Sequence, residues 1–262
     1  MGLEEGQKFE RGGIYRFTVD VTKGNTKAVL TVEKVGKVDL PAPDIFFGND
    51  KMEVTDTDIY KSEQVFTQGQ MITVTGIDNL NEWWIDPDFF EKQSDGALKF
   101  LPINGDYRVT ANAVLKYFSV MALKDGKPAK LQDDGTGAIW AIGKGIGKPS
   151  VASSEVGWEP GKALCLAQVA PKKYQLTLKA GETLKTSGDP EVISFKFFHQ
   201  NDWGGEFGNY ANSILVEQLK LADSGNLEMQ DNKAFEEGAV YRFTIDVTNG
   251  NANADLKVEK IN

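Results

Sequence analysis

Three groups of residues have side chains suited to chemistry or recognition. The first is acidic: Asp86, Asp88 and Glu91, in the run Asp86-Pro87-Asp88-Phe89-Phe90-Glu91. Paired carboxylates can carry out glycoside hydrolysis, one as acid and one as base or nucleophile. The same spacing has a plainer reading. Asp86 followed by Pro87 is a helix N-cap with proline at the first helical position, and Asp88 falls where a first turn favours negative charge. A short capped helical turn is the reading taken here, and neither it nor Glu206 supplies a catalytic set.

The second group is His199, the only histidine. One histidine excludes a multi-histidine metal site, and no G-x-S-x-G elbow accompanies it. It reads as a strand-end residue satisfied by a neighbour.

The third group is Trp158, Lys196, Asn201, Asp202 and Trp203. A pyranose has an apolar C–H face and a rim of hydroxyls. Flat aromatics suit the face. Carboxylate, amide and ammonium groups suit the rim, because hydroxyls both donate and accept. These residues can therefore bind a sugar without reacting with it, provided that the chain folds Trp158 back beside Trp203.

The elements that must position them are strands and loops. Ser194 to Phe198 reads as a strand, with Phe195, Phe197 and Phe198 as core, and Asn201 to Glu206 as the loop that follows. Ala138 to Ile142 is a strand with Trp140 in the core. Gly143-Lys144-Gly145-Ile146-Gly147-Lys148 lacks phosphate-loop spacing and reads as a flexible loop. Leu164 to Val169, Tyr174 to Leu178, Ile214 to Leu221 and Gln70 to Thr75 are further strands. Trp83 and Trp84 are adjacent, so on a strand one faces the core and one faces out. Short strands with turns every ~8 to 12 residues indicate an all-β chain of β-sandwiches.

A repeat organises the whole. Phe9-Glu-Arg-Gly-Gly-Ile-Tyr-Arg-Phe-Thr-Val-Asp-Val-Thr-Lys-Gly-Asn25 returns as Phe235-Glu-Glu-Gly-Ala-Val-Tyr-Arg-Phe-Thr-Ile-Asp-Val-Thr-Asn-Gly-Asn251. The separation is far longer than the ~20 to 50 residues of a solenoid. Each copy alternates as a β-hairpin, and a weaker third copy starts at Gly105. The expected division is 1–37, a hairpin that is either the tail of an upstream domain or an addition; 38–124, a β-rich domain; and 125–262, a β-sandwich.

The totals set limits. At 262 residues and 40% hydrophobic content there is enough apolar material for real cores. A net charge of −9 argues against a nucleic-acid partner. The single cysteine, Cys165, excludes an internal disulfide and reads as a small buried hydrophobe. No apolar run is long enough to span a membrane. No signal peptide is read, and Met1-Gly2 lacks the rest of a myristoylation site.

The run Ile139-Trp-Ala-Ile-Gly143, Gly157-Trp158-Glu-Pro-Gly-Lys-Ala-Leu164, Tyr174-x-Leu-x-Leu178, Ala180-Gly181-Glu182, Phe195-Lys196-Phe197 and Asp202-Trp203-Gly204 resembles the repeated domains of SusE/SusF-like outer-membrane glycan-binding lipoproteins of Bacteroidetes. More distantly, it is similar to starch-binding modules of family 20. The resemblance covers the last unit well and the second loosely. It implies tandem immunoglobulin-like or starch-binding-module-like β-sandwiches. It also implies a sugar site at Trp158, Lys196 and Trp203, with no catalytic residue, cofactor or metal. The implied setting is the cell surface, with a glycan ligand, an uptake porin and its lipoproteins as partners, and a lipid anchor outside this sequence. The loop from Gly143 to Gly157 is longer than the pattern, and Gly204-Gly205-Glu206-Phe207 replaces its usual polar end.

Overall fold

The computed structural model describes Phe9, residues 12–187 and residues 192–262. Residues 1–8, 10 and 11, part of the expected unit 1–37, and with them Met1-Gly2, lie outside the described residues. The chain is all-β. Its only α-helix is the four-residue Val151–Ser154, among the described residues.

The alternation of Tyr, Phe, Val and Ile with polar residues produces three hairpins. The first pairs Gly13–Asp20 with Val29–Lys37 in a two-stranded sheet. The middle one pairs Gly105–Asn112 with Tyr117–Lys124. The last pairs Val240–Asp246 with Asp255–Lys260.

The middle hairpin lies in a five-stranded sheet, with Ile59–Phe66 and then Glu53–Asp56 on one side and Lys127–Pro128 on the other. That pairing takes in Lys127–Pro128, beyond the boundary expected at residue 124. Two small three-stranded sheets cover it, and Phe47 meets the rings of Phe66, Phe90 and Phe118 beneath them. Met71–Ile72 and Val74–Thr75 belong to different small sheets, so the single strand expected from Gln70 to Thr75 is two.

The last hairpin lies in a second five-stranded sheet with Ala167–Ala170, Lys173–Lys179 and Asn212–Ile214. Facing it is a six-stranded sheet containing Trp140–Gly147 and Ser194–Phe198. Phe195 and Phe197 reach across to Phe243, with ring centroids 5.5 and 6.4 Å apart. This is a β-sandwich whose inner faces interdigitate. Burying each such side chain is worth about 1.5–3 kcal/mol. Two expected strands divide here because they change sheet. Leu164–Cys165 joins one sheet and Ala167–Ala170 the other. Asn212–Ile214 runs parallel to Asp255–Lys260, whereas Leu219–Leu221 pairs with Leu227–Met229.

The expected flexible loop from Gly143 to Lys148 is corrected. Gly143 to Gly147 is the second half of the strand Trp140–Gly147, and Lys148 is buried. The glycines are there because neighbours crowd the backbone. A Cβ on Gly143, at φ +141°, would lie 2.3 Å from Phe195 Cα. Trp140 is core, as expected, and its indole N–H donates to the Ala129 carbonyl at 3.0 Å. Trp83 is buried and stacks on Phe118, while Trp84 is half-buried. Cys165 is buried, and burial pushes its thiol up to about 12.

Candidate glycan-binding site and a locked module junction

Trp203 stands near the tip of the loop that follows Ser194–Phe198. The loop is closed at its base by the His199 N–H donating to the Gly205 carbonyl at 2.7 Å and by Phe207 N–H donating to Phe197 O at 3.0 Å. Gly204 and Gly205 hold φ of +85° and +68°, a left-handed turn that glycine enters without strain. The Asp202 carboxylate accepts from the Trp203 N–H at 2.7 Å, and the Gln200 side-chain amide donates to the Trp203 carbonyl. These bonds fix the backbone under the indole, and Trp203 is 49% exposed.

Trp158 arrives from a different strand. Gly157, at φ +58°, pairs with Gly143 and turns the chain outward. The 3₁₀ turn Pro160–Lys162 follows, with Lys162 paired to Glu159 at 3.0 Å. The two indoles lie nearly parallel, 25° between planes and 6.3 Å between centroids. The edge of Phe198 supports Trp203 at 6.0 Å. A sugar between the indoles would need two contacts of about 3.5–4.0 Å each, more than the gap provides. The accessible aromatic surface is therefore that of Trp203, with the half-buried Trp158 stacked against it.

The other expected site residues occupy different places. Asp202 is exposed beside Trp203, and Asn201 is half-buried next to it. Lys196 is half-buried on the strand face opposite Phe195 and Phe197, two residues from Phe198. The Glu159–Lys162 pair and the Phe198 support were not read from the sequence. Phe198 is core, as its place in the apolar strand predicts, at 1% exposure.

His199 sits edge-on to Phe207, with centroids 4.3 Å apart. Its Nε2 has no hydrogen-bond partner among the described residues, which corrects the expectation that a neighbour satisfies it. Burial holds the imidazole below its ordinary pKa, against a smaller opposing effect of Asp133.

The acidic group has a third role that neither sequence reading proposed. Asp86 caps the single turn expected here: its carboxylate accepts from the Asp88 N–H at 3.0 Å and its carbonyl from the Phe89 and Phe90 N–H groups at 3.1 and 2.9 Å, and the strand Phe90–Lys92 follows directly. Its carboxylate lies 2.8 and 2.9 Å from the Lys148 ammonium, which also reaches Asp88 at 3.1 Å. Asp88 accepts further bonds from Gln175 Nε2 at 2.7 Å and from the Thr177 N–H and hydroxyl at 2.6 Å each. Burial raises the Asp88 pKa, but Lys148 and these donors outweigh it and hold the carboxyl low. At Asp86 burial prevails over Lys148, and the pKa is raised. These carboxylates are buried and bonded to protein partners, and through Lys148, Gln175 and Thr177 they join the middle and last sandwiches. Trp84 adds a bond to Glu182 at 2.8 Å, and Ile103 N–H donates to Gln168 O at 2.8 Å. A recess of about 580 Å³ lies at this junction, bordered by Trp84, Asp86, Asn112, Tyr117, Lys148 and Lys162, and neither Trp158 nor Trp203 lines it.

Residues 134–248 match the family model described as Domain of unknown function (DUF5121). Residues 38–131 match the one described as Domain of unknown function (DUF5125). No curated protein matches. The crystal structure of SusF from Bacteroides thetaiotaomicron is similar over 97% of this chain at 15% identity, with a TM-score of 0.31. This chain spans 59% of that one. Among the described residues, no helix is long and apolar enough to cross a membrane.

Proposed function

We propose that this chain binds a polysaccharide or oligosaccharide without cleaving it, and that Trp158 and Trp203 form the binding platform. The supporting observation is the near-parallel arrangement of the two indoles, with Trp203 half exposed on a rigid loop. Asp202, Asn201 and Lys196 supply the polar rim. The Lys196 side chain has no hydrogen bond or ion pair among the described residues, so its ammonium can serve a ligand hydroxyl. The commitment of Asp86 and Asp88 to Lys148 supports a non-catalytic reading. The setting that fits is the cell surface, as a lipid-anchored outer-membrane protein that holds glycan for an uptake porin.

The reading is tested by calorimetry against a panel of neutral polysaccharides and their oligosaccharides. Binding by the intact chain, weakened at least tenfold in Trp203→Ala, is the expected result. A chain that binds nothing at millimolar ligand would overturn it. The competing reading, a structural or partner-docking subunit, needs both tryptophans buried as core, and Trp203 is not.

A further inference from the structure

The first hairpin repeats the last one in geometry as well as in sequence. Phe17 pairs with Val32 and Val19 with Leu30, just as Phe243 pairs with Val258 and Ile245 with Leu256. The turns agree: Gly24 holds φ 92°, ψ 158° before Asn25–Lys27, and Gly250 holds φ 93°, ψ 156° before Asn251–Asn253. Phe9 meets Tyr15 edge-on at 4.7 Å, as Phe235 meets Tyr241 at 4.7 Å.

The surroundings differ. Phe243 and Ile245 are fully buried, whereas Phe17 is 58% and Val19 60% exposed. Val21, Leu30 and Val32 are exposed on the same hairpin, while Val247, Leu256 and Val258 are buried. An isolated two-stranded hairpin is marginal in water, and a contiguous apolar face marks a surface built to be covered.

The chain itself shows what covers such a face. In the middle module Ile59–Phe66 runs antiparallel to the Tyr107 strand. In the last module Lys173–Lys179 runs antiparallel to the Tyr241 strand, and the phenylalanines of Ser194–Phe198 close over it. Both tyrosines are buried as a result.

We infer that the hairpin Gly13–Lys37 is the closing hairpin of a further β-sandwich module, whose other strands lie in the same polypeptide on the N-terminal side of Met1. That module supplies an antiparallel strand beside Gly13–Asp20 and an aromatic inner sheet over Phe17, Val19, Leu30 and Val32. A second copy of this chain is a poorer occupant. The slot that fits this hairpin in residues 134–260 is already filled by that copy's own Val240–Lys260.

Hydrogen–deuterium exchange tests the inference on two proteins: the 262-residue chain, and the encoded polypeptide with its natural N-terminal extension. In the shorter protein, amides of residues 14–20 and 29–36 should exchange much faster than those of residues 241–246 and 255–260. In the longer one they should slow by at least about tenfold. The double substitution Phe17→Asp, Val19→Asp should leave the melting of the 262-residue chain unchanged and destabilise the extended one. Three results would overturn the inference: no encoded upstream module, unchanged exchange in the extended protein, or protection already present in a dimer of the 262-residue chain.

Discussion

Trp158 and Trp203 come from different strands and meet with their rings 25° from parallel, 6.3 Å apart. Neither position depends on the other's side chain alone. Gly157 aims the first, and the His199–Gly205 loop closure aims the second. Side chains held this way would lose little conformational entropy on meeting a ligand.

Trp203 is exposed, so Trp203→Ala should cost no more than about 0.5 kcal/mol of stability. It should still weaken glycan binding at least tenfold, because most of the platform area is lost. Trp158→Ala should weaken binding similarly and cost more stability, since that ring is half-buried and packs against the core. Chemical denaturation alongside calorimetry separates the two effects.

Lys148, Asp86 and Asp88 form a buried ionic junction between the sandwiches. Removing Asp88 takes away one of the two carboxylates on Lys148 and leaves the Thr177 N–H and hydroxyl and the Gln175 amide without their acceptor in a buried site. Asp88→Ala should therefore destabilise the chain by about 3–5 kcal/mol. Replacing all three residues with apolar ones of similar volume should cost much less. Denaturant midpoints of the single and triple variants check this.

The same junction gives a pH signature. The folded Asp88 carboxyl is held below its unfolded value, so its contribution is present above the unfolded pKa of about 3.9 and is lost as pH falls through the folded value. The stability difference between the natural chain and Asp88→Asn should shrink as pH drops below about 4. Lys148 is shifted upward: burial lowers it, but Asp86 and Asp88 raise it further. Its contribution is present below the unfolded pKa of about 10.4 and is lost as pH rises through the folded value. A difference independent of pH from 2 to 6 would mean that Asp88 is not ionised in the junction.

Gly143→Ala should be severely destabilising, because the new methyl meets Phe195 backbone at 2.3 Å and φ is +141°. Gly161→Ala is the control. It has open space and an ordinary φ, and should change stability by less than about 0.5 kcal/mol. Thermal melting of the two variants tests the reassignment of this segment from loop to strand.

Local pattern revealed what depends on local pattern. The alternation in Tyr15–Val21, Tyr107–Ala111 and Tyr241–Val247 gave all three hairpins, and Ser194–Phe198 was placed residue for residue. Gly143–Gly147 was misread because its glycines answer to Phe195 and Ser154 on neighbouring segments, which periodicity cannot show. The Lys148 junction was hidden for the same reason. Its carboxylates and its lysine lie on different sandwiches, and the local capping role of Asp86 was sufficient by itself. The resemblance supplied Trp158 and Trp203 as a pair, while the support of Trp203 by Phe198 needed three-dimensional contact.

The most direct measurement is calorimetric titration of the natural chain and Trp203→Ala with the same neutral polysaccharide, each checked for unchanged melting. The expected result is saturable binding by the first and at least tenfold weaker binding by the second. Equal binding by the two, with both folded, would contradict the platform.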